Sequence, residues 1–302
     1  MKLSICICTY NRHQSLIDCI KSINQILNTK NININIIIND NSHDNNLSTI
    51  KKKLAKISHY NIVFTNEKKR GIVYARNKCL KIVRSTKPNY VAFIDDDCVV
   101  NKNWLKNIFI LIHKLRADVI TGPQKYQKKN STSKNNFSKI FEKKYKNNLT
   151  RVKWAASNNV FFKYSILHEL KNISFDKNLN KFGIGEDQLF FSLINKFGYK
   201  IYWSKNVYVT EKIHSHRINI DWVKERSKRL GILGHYLDIK LYGKFIGYLF
   251  NYLKSFYFLF LSILTFFNFL NFNRTINSMN YFFRFYGKII GPFKFKKIYF
   301  LR

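Results

Sequence analysis

A chain of 302 residues with 46% hydrophobic and 16% aromatic content can bury a sizeable core, which excludes a disordered polypeptide and leaves room for one large domain plus an appendage. Its 53 Lys and Arg against 17 Asp and Glu give a formal net charge of +36, so an anionic partner, a membrane surface or a compositional bias is expected. Five cysteines, Cys6, Cys8, Cys19, Cys79 and Cys98, are odd in number and lack zinc-type pairing, which argues against a disulfide framework and a structural metal and for a reducing compartment.

The opening apolar stretch, Leu3 to Cys8, is too short for a secretory signal, so the catalytic part is expected in the cytoplasm. That stretch reads as a strand with Cys6 and Cys8 on one face. Arg12 to Leu27 reads as a helix, with Leu16, Ile17, Ile20, Ile23 and Leu27 at helical spacing. Ile32 to Ile38 alternates with Asn and then turns fully apolar, the pattern of a strand buried on both faces by its end. Leu47 to Ile57 predicts a helix, Asn61 to Thr65 a strand, Ile72 to Val83 a helix after Gly71, and Tyr90 to Ile94 a buried strand. This βαβ repetition predicts a mainly parallel, doubly wound sheet. Open sheets of that kind bind ligands at the carboxyl ends of their strands. Three polar clusters fall at such ends: Thr9-Tyr10-Asn11-Arg12, Asn39-Asp40-Asn41-Ser42 and Asp95-Asp96-Asp97. The last closes a buried strand on three like charges, whose shared ionisation demands a nearby cation or solvent. A divalent metal with oxygen ligands meets that demand, and a phosphate-bearing substrate is its natural companion.

Gln124 to Lys153 is dominated by Lys, Asn and Ser with weak periodicity, which predicts a mobile loop. Globular texture returns over Trp154 to Leu170 and Phe182 to Trp203. There Glu186 and Asp187 follow a glycine-rich turn and open the helical pattern Leu189-Phe190-Leu193-Ile194, where the helix dipole favours acids. No acidic residue follows Asp238, and uncharged residues run unbroken from Ser255 to Asn273. A spanning helix needs about 20 apolar residues. This run is interrupted by Ser262, Thr265, Asn268 and Asn271, so an interfacial or re-entrant helix with basic flanks is expected.

Taken in order, five stretches resemble the family 2 glycosyltransferases with a GT-A type fold. They are Ser4-Ile5-Cys6-Ile7-Cys8-Thr9-Tyr10-Asn11-Arg12, Ile37-Ile38-Asn39-Asp40-Asn41-Ser42, Asn66 through Gly71 to Ala75-Arg76-Asn77, Phe93-Ile94-Asp95-Asp96-Asp97, and Gly183-Ile184-Gly185-Glu186-Asp187. Asn39 departs from the pattern, since the family commonly has a first Asp there. The resemblance implies donor nucleotide-sugar contacts from Thr9, Tyr10, Arg12, Asp40, Arg76, Asp95 and Asp96, with Asp40 meeting a uracil-type base. It implies metal ligation by Asp97 and Asp95, with His214 or His216 as a further ligand, and Mn2+ or Mg2+ as the cation. It assigns Asp187 as the base that takes the acceptor proton and Glu186 as the residue that orients the acceptor. Trp154-Ala155-Ala156-Ser157-Asn158-Asn159 resembles the family's acceptor-side stretch.

The activity so implied is inverting transfer from a nucleotide diphosphate sugar, a UDP-sugar favoured, to a glycan or lipid-linked acceptor in cell-surface polysaccharide assembly. Residues 1–210 would form the transferase domain and 211–302 a helical, basic and aromatic membrane-associating region, peripheral on the inner face of the cell membrane. Two rivals remain. A sugar-phosphate nucleotidyltransferase predicts a glycine-rich, Lys/Arg-bearing loop near the amino terminus, and none follows Cys8. A nucleic-acid binder would explain the charge but not the three Asp or Glu186-Asp187, so no nucleic-acid partner is expected.

Overall fold

The computed structural model describes residues 1–27, 29–42, 47–127, 145, 147–212, 219–267 and 272–294. The described residues form two compact units, one running up to Gln127, from Tyr145 to Asn180 and from Glu186 to Lys212, the other holding Lys181–Gly185, 219–267 and 272–294.

The first unit contains, in chain order, β1 (Lys2–Thr9), α1 (His13–Asn24), β2 (Asn33–Asp40), α2 (Leu47–Ile57), β3 (Asn61–Asn66), α3 (Ile72–Thr86), β4 (Tyr90–Asp95), β5 (Cys98–Val100) and α4 (Trp104–Leu115). It continues with β6 (Val119–Thr121), β7 (Gln124–Gln127), β8 (Leu149–Val152), β9 (Asn159–Lys163), α5 (Ser165–Glu169), α6 (Glu186–Lys196), β10 (Ile201–Ser204) and β11 (Val209–Lys212). The large sheet has the order β3-β2-β1-β4-β9-β6-β10-β8, and β5, β11 and β7 form a smaller one. β3, β2, β1 and β4 run parallel, in register along their lengths. β9 then runs antiparallel to both β4 and β6, so the parallel half ends at β4.

Side chains alternate across the sheet, and each face buries its own core. On one face Leu3, Ile5 and Ile7 of β1 pack with Leu16, Ile17 and Ile20 of α1 and with Leu105 and Ile108 of α4. On the other, Cys6, Ile37 and Phe93 pack with Val73, Cys79 and Leu80 of α3 and with Phe190 and Ile194 of α6. The apolar half-turns that predicted the helices are therefore the sides that cover the sheet, except that α1 ends at Asn24 and Leu27, expected on its apolar side, is exposed beyond it.

Two expectations need correcting. The stretch from Gln124 to Lys153 carries strands at both ends, because β7 pairs parallel with β11 and β8 pairs antiparallel with β10. Those partners come from far along the chain, so local periodicity gives no sign of them. Residues 128–144 and 146 lie outside the described residues.

The second unit is built from α7 (Ile220–Tyr242), α8 (Lys244–Phe266) and α9 (Phe272–Lys294). Asn219 caps α7 by accepting a hydrogen bond from the Trp222 N–H, and Gly243, at φ +81°, turns the chain into α8. The second correction concerns the uncharged run. The helix begins at Lys244, well before Ser255, and Ser262 is no interruption: it is buried and hydrogen-bonded to Ser278 of α9. Asn268 and Asn271 lie outside the described residues.

Candidate active site

Parallel registration gathers the three polar strand ends at one edge. Thr9 stands opposite Asp40, Cys8 opposite both Asn39 and Asp95, and Asp40 opposite Asn66. The loop after β3 is tied there by Asn41, whose amide donates to the Glu67 and Lys69 carbonyls and accepts from the Gly71 N–H. Gly71 takes φ +131° before the first turn of α3, and a Cβ there would overlap the Asn180 side chain. That turn aims α3 so that Arg76 points at the strand ends.

Arg76 is the centre of the arrangement. It is buried and bonds Glu186 at the start of α6 and, at 3.2 Å, Asp95 at the end of β4. Asn77 holds the neighbouring segment with two hydrogen bonds to the Phe175 backbone, and the Arg76 guanidinium lies 5.8 Å from the Phe175 ring centre. Burial favours loss of the Arg76 proton, but Glu186, Asp95 and Asp187 outweigh it and hold the group charged well above its usual range. Burial pushes the Glu186 carboxyl up, with Arg76 opposing and Asp187 adding to the rise. Glu186 Oε2 has no hydrogen-bond partner.

The three consecutive carboxylates have three different environments. Asp95 has a side chain 40% exposed, the most open of the three, against 9% for Asp97 and 5% for Asp96; desolvation of its carboxyl still raises its pKa, with Arg76 opposing. Asp96 turns inward and accepts from the Thr9 hydroxyl at 2.7 Å and from Arg12 at 3.3 Å. Burial, then repulsion from Asp97, pushes the Asp96 carboxyl up to about 7. Asp97 is bonded by Arg12 at 2.8 Å. Burial works against the Arg12 charge, yet Asp96, Asp97 and Asp95 keep its pKa raised. Thr9 and Asp96 therefore satisfy each other, and Tyr10 lies 5.4 Å from the Arg70 guanidinium.

Asp40 is fully buried and forms the Asx turn expected at a strand end, with Oδ1 accepting from the Ser42 N–H and hydroxyl. Its Oδ2 has no hydrogen-bond partner and lies 4.0 Å from His13 Nε2, which also lacks one. Asp187 is held on both oxygens: Oδ1 accepts from the Gln188 N–H at 2.7 Å, and Oδ2 from the Ser157 N–H at 3.1 Å. An ionised carboxylate offers about four lone-pair sites, so Asp187 can still accept a proton.

His214 and His216 lie outside the described residues. Sequence reasoning did not single out His13, and it marked Asn39 only as a departure from the family's pattern; both amide atoms of Asn39 are buried without a hydrogen-bond partner. Among the described residues no group of three or more His, Cys, Asp and Glu could hold a metal by itself. Asp95 and Asp97 are hard oxygen donors in a crowded, partly desolvated cluster, which suits a divalent cation. Mg2+-type sites use one or two carboxylates and complete the shell with substrate phosphates and water.

The model of the glycosyl transferase family 2 matches residues 4–170. The minor teichoic acid biosynthesis protein GgaB of Bacillus subtilis is 29% identical over 188 residues, 61% of this chain and 20% of that protein. The poly(ribitol-phosphate) beta-N-acetylglucosaminyltransferase TarP of Staphylococcus aureus is 27% identical over 69% of this chain and 62% of its own length. The chain thus spans less than two thirds of both relatives. The crystal structure of S. aureus TarS 1-349 in complex with UDP superposes with a TM-score of 0.54 at 20% identity, covering 80% of this chain and 70% of that one. The mannosyltransferase PcManGT from Pyrobaculum calidifontis, in complex with GDP-Man and Mn2+, has a TM-score of 0.62 at 12% identity over 97% and 87% of the two chains. These likenesses establish the GT-A type fold.

Proposed function

Because this chain belongs to glycosyl transferase family 2, we propose that it moves a sugar from a nucleotide diphosphate sugar, most simply a UDP-sugar, to a hydroxyl of a glycan or lipid-linked acceptor in cell-surface polysaccharide assembly. One observation carries the reading: Arg76 joins Asp95, at the donor end of β4, to Glu186, the neighbour of Asp187 on α6. Donor and acceptor chemistry then share one site within residues 1–210.

Asp40 Oδ2, buried and partnerless, accepts a base N–H of the donor, and Asp95 accepts from ribose or the donor sugar. Thr9 and Arg12 act through Asp96 and Asp97, which they hold in place. Asp97 and Asp95 would hold a divalent cation, Mn2+ or Mg2+, which offsets the charge of the departing diphosphate. Asp187, aimed by Ser157, takes the acceptor proton. The acceptor oxygen then bonds to the anomeric carbon while the bond to the diphosphate oxygen breaks, which inverts the configuration in one displacement. Work at the cytoplasmic face of the membrane fits the basic, aromatic residues 211–302.

A panel of nucleotide sugars assayed for cation-dependent hydrolysis and transfer tests the proposal. Asp97→Asn should abolish turnover. Asp187→Asn should lower transfer by about 10²–10⁴-fold while leaving donor affinity unchanged by calorimetry. Loss of donor affinity in Asp187→Asn would refute its assignment as base. Indifference of the native chain to UDP and GDP alike, with manganese present, would refute the donor class.

A further inference from the structure

The helix α8 is built inside out. Its buried positions are Gly247, Asn251, Ser255 and Ser262, small or polar and spaced along one side. Its exposed positions are Phe245, Leu249, Leu253, Phe256, Phe260 and Leu264, each more than half exposed. A helix of a water-soluble bundle buries its apolar stripe and shows its polar one. Here the polar stripe packs on α7 and α9, and every buried polar group on it finds a partner. Asn251 donates to the Lys288 carbonyl at 3.2 Å and accepts from Lys288 Nζ at 3.2 Å, and Ser262 donates to the Ser278 carbonyl at 3.0 Å. Lys288 and Lys254 in turn bond Asp238. The helices α7 and α9 approach closely through Gly231 and Gly287: a Cβ on Gly231 would lie 2.4 Å from the Arg284 carbonyl, and one on Gly287 2.2 Å from the Lys228 carbonyl. Small residues at helix contacts, polar groups paired between helices and aromatic side chains facing outward are how helices pack in lipid. Of the helices among the described residues, α8 is the one long and apolar enough to cross a membrane, with only 17% of its apolar window buried.

We infer that the outward face of α8 is seated in the acyl region of an anionic lipid leaflet, with the helix lying in the plane of that leaflet. Charge selects this occupant over a second apolar protein surface. From Lys240 onward the sequence carries ten Lys and Arg and no acid; among the described residues Lys254 and Lys288 share Asp238, while Lys240, Lys244, Arg274 and Lys294 are exposed. Two copies meeting there would bring like charges together, whereas anionic headgroups neutralise them. The in-plane orientation follows from the partners of α8. With α7 and α9 packed along its polar side, a transverse helix would draw the partly exposed Lys228 and the buried Lys288–Asp238 ion pair into the hydrocarbon layer, while a flat one leaves Lys228 toward water and headgroups. This inference extends the membrane part of the proposed function and is independent of its sugar chemistry.

The test uses the full chain and vesicles of phosphatidylcholine with or without phosphatidylglycerol. The native chain should float with the anionic vesicles and be released by alkaline carbonate. Phe256→Ser, Phe260→Ser and Leu264→Ser together should weaken capture by at least about tenfold while UDP binding is unchanged. Should that variant misfold, a lipid-borne photoreactive probe on the native chain decides: labels on Phe256, Phe260 and Leu264 with Asn251, Ser255 and Ser262 spared support the inference. An unbound native chain would overturn it, as would labelling on the polar side. A lipid-free dimer abolished by the three substitutions would assign the face to a second copy, and resistance to carbonate would replace the flat orientation with a spanning one.

Discussion

Arg76 compensates two carboxylates that the fold would otherwise strand, since Glu186 is buried and Asp95 sits at the mouth of the strand ends. Breaking a buried ion pair from one side costs about 3–5 kcal/mol. Arg76→Met should therefore lower the thermal midpoint and turnover together, and adding Glu186→Gln should recover part of the stability but not the activity. Additive losses in that double-mutant cycle would show that the two residues are not coupled. Asp96 gives a second prediction. Its folded pKa, raised to about 7, lies above the unfolded value of about 3.9. Its stability contribution is thus fully present below pH about 4 and is lost as pH rises through about 7. In chelator-containing buffer the chain should lose on the order of 2–4 kcal/mol across that window. Asp96→Asn, which mimics the protonated acid, should flatten the slope in thermal melts at stepped pH. An unchanged slope in the variant would refute the assignment.

Elements meet the site through a few buried polar groups. Asn159, at the start of β9, accepts from the Trp104 indole at 2.8 Å and donates to the Val207 carbonyl at 2.8 Å. The Thr121 hydroxyl donates to its backbone carbonyl at 2.7 Å. One side chain thus pins α4 and the β10–β11 connection to the start of β9. Asn159→Ala leaves an indole N–H and a carbonyl buried without partners, at about 1–3 kcal/mol each; denaturant melts should show a lower midpoint with an unchanged m-value. At Gly71 the backbone conformation disfavours any side chain and Asn180 fills the space of a Cβ. Gly71→Ala should cost about 1–3 kcal/mol of strain and, by tilting α3, weaken UDP affinity in calorimetry. Unchanged affinity would mean that the Gly71 turn does not aim Arg76. The helices and parallel strands were legible because their apolar periods are local. The short strands β7 and β8 were not, because pairing with β11 and β10 supplies their order.

For the molecule as a whole, the excess of 53 basic over 17 acidic residues acts at longer range than any single contact. Surface charges are screened beyond about 10 Å at 0.1 M salt. Raising salt should therefore weaken capture by anionic vesicles while leaving sugar-nucleotide hydrolysis intact, and equal salt sensitivity of both would tie the charge to the site instead. By itself the sequence determined the alternation of strand and helix, the strand ends that carry polar clusters and the family, because buried strands and amphipathic helices write their periods into neighbouring residues. Only the tertiary structure decided which carboxylate of Asp95-Asp96-Asp97 faces outward, that Arg76 bridges Asp95 to Glu186, and that α8 turns its polar side inward. Those features depend on which distant residues share a contact, and a linear pattern holds no record of its neighbours in space.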